Sequence, residues 1–306
     1  MSNNKIAIIG AGQVGSTIAY SLIIQGLVRE IALFDIDHKK VKAQVTDLQH
    51  SIPFWNYCHI KVGTEKDLTN SAIVIIACGA KQKDQQTRPD LLQDNYQMIK
   101  NIVPHLYRIN KDVITLIVSN PVDLLTYFAI KLVPNKKNKI FGSGTILDTA
   151  RFKYLLGDQL KINPRSIHAY IVGEHGDSEL PLWSTATIGN IPLVNFPLKQ
   201  KELDKIFYQV KNAAYQIIAG KGATYYAIGG GVTQLVETIL QDQKTVWPIS
   251  HYLNGEFGLR NVCLSLPVIL GRQGIVGKLK YQISSREQKK LRSSAATLQK
   301  MIKHIK

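Results

Sequence analysis

The chain has 306 residues, 45% of them hydrophobic, which suits one large or two ordinary domains around a sizeable core and excludes a disordered chain. Lys and Arg number 38 against 22 Asp and Glu, a formal charge of +16, and three cysteines (Cys58, Cys78, Cys263) are too few and too scattered for a disulfide framework or a zinc ribbon. The start, MSNNKIAIIG, has no basic n-region and cleavage site, repeats are absent, and no apolar run approaches the ~20 residues that span a bilayer; the expectation is a cytoplasmic globular protein outside the membrane.

The first half alternates strand-like and helix-like segments. KIAII (5–9) is apolar and β-branched, a glycine turn follows, and 16–26 reads as a helix. IALF (31–34) forms a second short strand ending at Asp35, and 38–50 is again helical with a polar face. The runs AIVIIAC (72–78) and VITLIV (113–118) are continuously apolar, as strands buried on both faces of a parallel sheet are, and KIFG (139–142) adds another. This order predicts an α/β fold with a doubly wound parallel sheet of Rossmann type over 1–142. The second half, 143–306, is less regular and reads as an α+β catalytic domain: HAYIVGEHG (168–176) is a strand running into a loop, 183–197 suits antiparallel hairpins, and 201–219 and 284–306 read as helices.

Within the first turn, Gly10-Ala11-Gly12-Gln13-Val14-Gly15 fits G-x-G-x-x-G between a strand and a helix, the context a dinucleotide loop needs. Gly10 permits the tight turn, Gly12 lets the backbone approach a pyrophosphate, and Gly15 lets helix and strand pack closely. Asp35 follows twenty residues after Gly15; a carboxylate there accepts from ribose hydroxyls and repels a 2′-phosphate, which favours NAD over NADP. A glycine-rich turn beside a structural Asp is the plain alternative.

Three further strings carry polar groups near strand ends, where ligands of open α/β sheets bind: Ser119-Asn120-Pro121, Leu147-Asp148-Thr149-Ala150-Arg151, and Gly173-Glu174-His175-Gly176-Asp177-Ser178. Each has a dull reading on its own: a turn Asn, a surface i,i+3 ion pair, a structural His. Together with a dinucleotide loop they point to a reaction centre.

With these strings and KGATYY (221–226), the chain resembles the L-lactate dehydrogenases of the lactate/malate dehydrogenase family nearly from end to end. The resemblance implies reversible hydride transfer between NADH and a 2-oxo acid, usually in a homotetramer. It implies His175 as the general acid, Asp148 as its orienting carboxylate and Arg88 as the loop arginine that polarises the carbonyl. Arg151 would anchor the substrate carboxylate, with Gln82, Asn120 and Thr224 lining the substrate. NAD would be held by Gly10, Gly12, Gln13, Val14, Gly15, Asp35, Gly79 and Asn120. In this family a Gln six residues before the loop arginine suits pyruvate and an Arg suits oxaloacetate; this chain has Gln82. The physical reason is that a second carboxylate would enter a water-poor site without a partner.

Two departures stand out. Bacterial relatives usually carry a Pro-Gly pair where Asp84-Gln85 stand, which bears on loop closure and leaves room for a larger 2-oxo acid. Many bacterial members bind fructose 1,6-bisphosphate between subunits through an Arg and a His; here those positions are Lys153 and His168, so the charge remains but the bidentate fork is lost. Next in order stand a broader L-2-hydroxyacid dehydrogenase and then a malate dehydrogenase. No metal site is expected, since the eight histidines are scattered and neither H-E-x-x-H nor paired C-x-x-C occurs.

The charge has an address. From Arg272 to Lys306 there are ten Lys/Arg and one acid, Glu287. Ser284 and Glu287 form a capping-box pair, and Leu291, Ala295, Leu298, Ile302 and Ile305 recur at helical spacing. The first reading is a helix with a buried apolar stripe and a solvated basic face; the alternative is a patch for nucleic acid or an anionic surface, which no recognised RNA or DNA module accompanies.

Overall fold

The computed structural model describes residues 4–80 and 88–305, with side chains throughout except at 88 and 89. In the first half, strands β1 (Lys5–Ile9), β2 (Glu30–Phe34), β3 (His59–Val62), β4 (Ile73–Ile76), β5 (Ile114–Ile117) and β6 (Ile140–Gly142) alternate with helices α1 (Gln13–Gln25), α2 (His38–Ser51), α3 (Glu65–Thr69), α4 (Arg88–Ile109) and α5 (Val122–Leu132). The second half contains α6 (Ile146–Leu160), the short strands β7 (Ile167–His168), β8 (Ile171–Val172), β9 (Leu180–Pro181), β10 (Thr187–Ile188) and β11 (Ile191–Pro192), then α7 (Gln200–Lys221) and α8 (Tyr226–Leu240). It closes with β12 (Thr245–Asn254), β13 (Arg260–Gly271), β14 (Gly274–Lys278) and α9 (Ser285–Lys303).

The parallel strands run in the order β3-β2-β1-β4-β5-β6, the doubly wound order of a Rossmann sheet. All four residues of β4 (IVII) and of β5 (ITLI) are buried, because helices cover both faces. One apolar layer under α1, α2 and α8 includes Ile8, Ile18, Leu33, Val45, Val232 and Val236. The opposite layer, under α4, α5 and α9, includes Val74, Ile99, Leu125, Leu264, Leu291 and Leu298. A separate cluster around Phe152, Ile167, Ile188 and Val210 joins α6 and α7 to the small strands.

The sheet does not stop at the domain division. β12 pairs antiparallel with β6 (Ser250 opposite Gly142) and continues through β13 and β14, giving a nine-stranded sheet. The sequence reading left β12–β14 without an assignment. Pro248 and Pro267 interrupt the two long strands, and proline argues against a central strand; in the structure the two prolines stand opposite each other in register. The strand expected over 72–78 is shorter, which puts Cys78 past its end, half-buried, with burial pushing its thiol up to about 12.

The tail helix forms as its pattern predicts. The Ser284 side chain accepts from the Glu287 N–H, and the Glu287 carboxylate accepts from the Ser284 N–H at 2.8 Å. Leu291, Ala295 and Leu298 are buried; Ile302 is half-buried, and Ile305 lies beyond the last helical turn yet still packs on the core. Replacing Leu291, which is fully buried, with Ala should destabilise the protein by ~2–5 kcal/mol in denaturant unfolding.

Candidate active site

The first turn is built for a dinucleotide. Gly10 has φ +114°, and a Cβ there would stand 2.6 Å from the backbone nitrogen of Cys78. A Cβ on Gly15 would lie 1.8 Å from the Gly10 carbonyl oxygen, so only glycine lets α1 start this close to the turn. At Gly12, by contrast, a Cβ would meet nothing nearer than the Lys40 ammonium at 4.0 Å. Gly12 is the N-cap of α1 and no side chain caps it, so the helix offers backbone N–H groups and a positive dipole end to a bound phosphate. The space above Gly12 fits a pyrophosphate.

Asp35 ends β2 beside this turn. Its carboxylate accepts from the N–H groups of Ala11 (2.8 Å) and Asp37 (3.1 Å) and pairs with Lys40 (3.1 Å). Burial opposes ionisation, but these donors outweigh it and hold Asp35 below the usual carboxylate range. The adjoining turn is also ordered: Asn95 bridges the strand ends, accepting from the Ala80 N–H at 2.8 Å and donating to the Asn120 carbonyl at 2.9 Å. Gly79 and Asn120 are both exposed there, so they face the open end of the sheet beside the glycine loop.

Across the sheet ends, three groups from two segments meet. Asp148 lies in the first turn of α6 and is 3% exposed. Its Oδ2 stands 2.6 Å from the His175 Nδ1, and its Oδ1 accepts from the Arg151 guanidinium at 2.9 Å. The Asp148–Arg151 pair has the i,i+3 spacing of a surface ion pair, but it is buried and shared with His175. Burial alone would lower the His175 pKa; the Asp148 carboxylate overrides it and lifts the imidazole to about 9. In return the imidazolium and the guanidinium hold Asp148 below its ordinary range against its own burial. The His175 side chain is still 25% exposed, so the ring keeps an edge open to a ligand.

Other elements fix the loop that carries His175. Asp123 on α5 is 2% exposed; it accepts from the His175 backbone N–H at 2.7 Å and from the Ser250 hydroxyl of β12 at 2.5 Å. Burial raises its carboxyl to about 6 despite these donors. Ser294 of α9, fully buried, donates to or accepts from Ser178 at 2.9 Å and accepts from the Glu174 N–H at 2.9 Å. Asp123, Ser250 and Ser294 were not picked out from the sequence. Asp123 did carry a signal, as an acid within the mostly apolar VDLLTYFAI; Ser250 and Ser294 carried none, since their role depends on contacts across more than a hundred residues.

The remaining expected residues fall as follows. Gln82 lies outside the described residues. Arg88 is the first residue of α4, and its side chain is likewise outside them. Thr224 is half-buried in the connection between α7 and α8. Lys153 of α6 is turned toward Tyr170, its ammonium 5.7 Å from the ring centroid, while His168 is exposed on β7. Asp148, His175 and Glu179 bring three metal-ligand atoms within 4.8 Å of one another, but Asp148 already holds two cationic side chains, which an ion would have to displace.

Residues 4–142 match the sequence profile of the lactate/malate dehydrogenase NAD-binding domain, and residues 145–306 that of the lactate/malate dehydrogenase alpha/beta C-terminal domain. The chain belongs to the lactate/malate dehydrogenase family. It is an NAD-dependent oxidoreductase with a Rossmann domain. It is 46% identical to an L-lactate dehydrogenase of Acetivibrio thermocellus, over 100% of this chain and 99% of that one, and 44% identical to an L-lactate dehydrogenase of Synechococcus sp., over 99% of each. Among solved structures, a minor L-lactate dehydrogenase from Enterococcus mundtii in a ligand-bound form superposes with a TM-score of 0.97 at 34% identity, covering 100% of this chain and 99% of that one.

The electrostatics give a signed expectation. His175 has a raised pKa, so its pairing with Asp148 stabilises the fold fully below the ordinary value of 6.5 and loses that contribution as pH rises through about 9. In Asp148→Asn the largest raising influence is gone while burial remains. The imidazole, followed by NMR, should titrate well below about 9, and the stability difference from wild type should shrink above that pH.

Proposed function

We propose that the chain is an NAD-dependent L-lactate dehydrogenase that interconverts pyruvate and L-lactate. The observation that carries this reading is the buried Asp148 carboxylate with the His175 imidazole on one oxygen and the Arg151 guanidinium on the other. Bound NAD supplies the hydride acceptor, and NADH the donor, against the carbonyl carbon. The protein's own residues do the rest. His175, held protonated by Asp148, donates to the carbonyl oxygen through its outer ring nitrogen as the ketone is reduced, a contribution of ~10²–10⁴-fold for a positioned acid. Arg151 spends one N–H on Asp148, and its planar fork offers others to the substrate carboxylate. Arg88 is the donor that polarises the carbonyl, an oxyanion-type contact whose loss costs ~10²–10³-fold. Asn120 and Thr224 line the carbonyl and side-chain ends of the site. The cofactor is held by Gly10, Gly12, Gln13, Val14, Gly15, Asp35, Gly79 and Asn120.

In the direction of reduction the enzyme needs the imidazolium, so pyruvate turnover falls as pH rises through about 9; oxidation of lactate needs the neutral ring and gains over the same interval. The division of labour follows the chain at 142/143, with cofactor binding before it and substrate binding after it. The working form is a cytoplasmic homotetramer.

Gln82 supports pyruvate over oxaloacetate, because a neutral amide gives a second carboxylate no counter-charge. An NADH-oxidation assay over a panel of 2-oxo acids should show pyruvate preferred. Gln82→Arg should move the kcat/KM ratio toward oxaloacetate by ~10–100-fold, the value of one or two hydrogen bonds to a charged group. An unchanged ratio would remove this specificity assignment.

Lys153 and His168 are proposed as the anion-binding residues of a fructose 1,6-bisphosphate effector site. Lys153 is half-buried, and that burial lowers its pKa; a bound phosphate would favour its charged form. Titrating the sugar bisphosphate should lower the apparent KM for pyruvate, and Lys153→Glu should abolish the response. Saturation curves that coincide with and without the bisphosphate would dispose of the effector site.

A further inference from the structure

Glu179 has no part in the reaction as derived above, yet its carboxyl group lies inside the site. It stands four residues after His175, where a turn closed by its N–H on the Gly176 carbonyl (3.2 Å) folds the chain back. One Glu179 carboxylate oxygen, one from Asp148 and a ring nitrogen of His175 lie within 4.8 Å of one another. Glu179 is 6% exposed, and its buried Oε1 has no hydrogen-bond partner among the described residues.

The two carboxyl groups are not equivalent. Asp148 takes both strong partners, Arg151 at 2.9 Å and His175 at 2.6 Å. Among the described residues, the cations facing Glu179 are these same two, already engaged, together with Lys211 of α7, whose ammonium donates to the Asp177 carbonyl at 2.7 Å. Asp123 of α5, which accepts from the His175 backbone N–H, adds a further negative charge that acts on the ring. Two buried carboxyls this close resist ionising together, and the proton falls to Glu179, whose Oε1 has no hydrogen-bond partner among the described residues.

We propose that Glu179 is a positioning residue held as the neutral acid, whose proton keeps a second negative charge out of the pocket where His175 must be positive and a 2-oxo acid must bring its own carboxylate. This rests on the reading of His175 as proton donor. Burial, followed by the Asp148 charge, pushes the Glu179 carboxyl up to about 9, the range in which His175 also titrates. Ionised Glu179 repels the substrate carboxylate; neutral His175 has no proton to give. The form competent to reduce pyruvate therefore holds both protons.

The test is the pH profile of kcat/KM for pyruvate at saturating NADH, measured on the wild type and on Glu179→Gln, which keeps the volume and removes the ionisation. The alkaline limb should approach a slope of about two in the wild type and about one in the variant. Equal slopes overturn the proposal. An NADH fluorescence titration checks that the variant is folded around its cofactor. If Glu179→Gln does not fold, infrared spectra of the wild type at about pH 8, where Asp123 with its value of about 6 is ionised, should show a protonated buried carboxyl; its absence overturns the proposal. A wild type that does not reduce any 2-oxo acid would refute the dehydrogenase reading instead, while the infrared band would still report on Glu179.

Discussion

The Asp148 carboxylate is the contact on which the site depends. A buried anion is costly in isolation, and this one is compensated by two cations that approach its two oxygens separately. Arg151 reaches it from one turn along α6, so that pairing is fixed by helix geometry alone. His175 comes from a loop 27 residues away and depends on the tertiary fold. Removing the carboxylate would leave the Arg151 guanidinium and the His175 ring without the anion that holds them, so the arrangement is a structural commitment.

Local chemistry was legible in the sequence; the supports for it were not. The glycine turn, Asp35 and the parallel strands follow from spacing and composition, and the structure adds the reason at single-atom scale: only glycine at 10 and 15 avoids collision with backbone. The surface reading of the Asp148–Arg151 spacing fails because α6 is packed between the sheet and the small strands, a fact no local pattern carries. Asp123 and Ser250 lie in segments to which the sequence pattern assigns no element, and Ser294 lies in an ordinary amphipathic helix. Their hydrogen bonds to the His175 loop or to one another span 52, 127 and 120 residues of chain.

The tail helix shows how a composition signal can mislead on its own. Its basic residues project from a helix whose buried face is as informative as its charge. Leu291, Ala295 and Leu298 anchor it, and Ser294 on that same face hydrogen-bonds the His175 loop. Glu287 extends the link, because its carboxylate accepts from the Ser184 N–H at 3.0 Å as well as completing the cap of its own helix. The C-terminal segment thus orients the loop that holds the imidazole, and its charge need not be explained by an anionic partner.

The join between β6 and β12 has a consequence for biosynthesis. The strand at 140–142 leaves the ribosome about 100 residues before its neighbour at 245–254, and at ~5–20 residues per second that is a delay of ~5–20 s. Throughout that interval the nascent sheet presents an unpaired edge next to strands of buried, mostly apolar residues, a template for intermolecular pairing. The late-arriving hairpin therefore acts as a built-in cover for the newborn chain, and chaperone demand should be concentrated in the stretch of translation before it emerges.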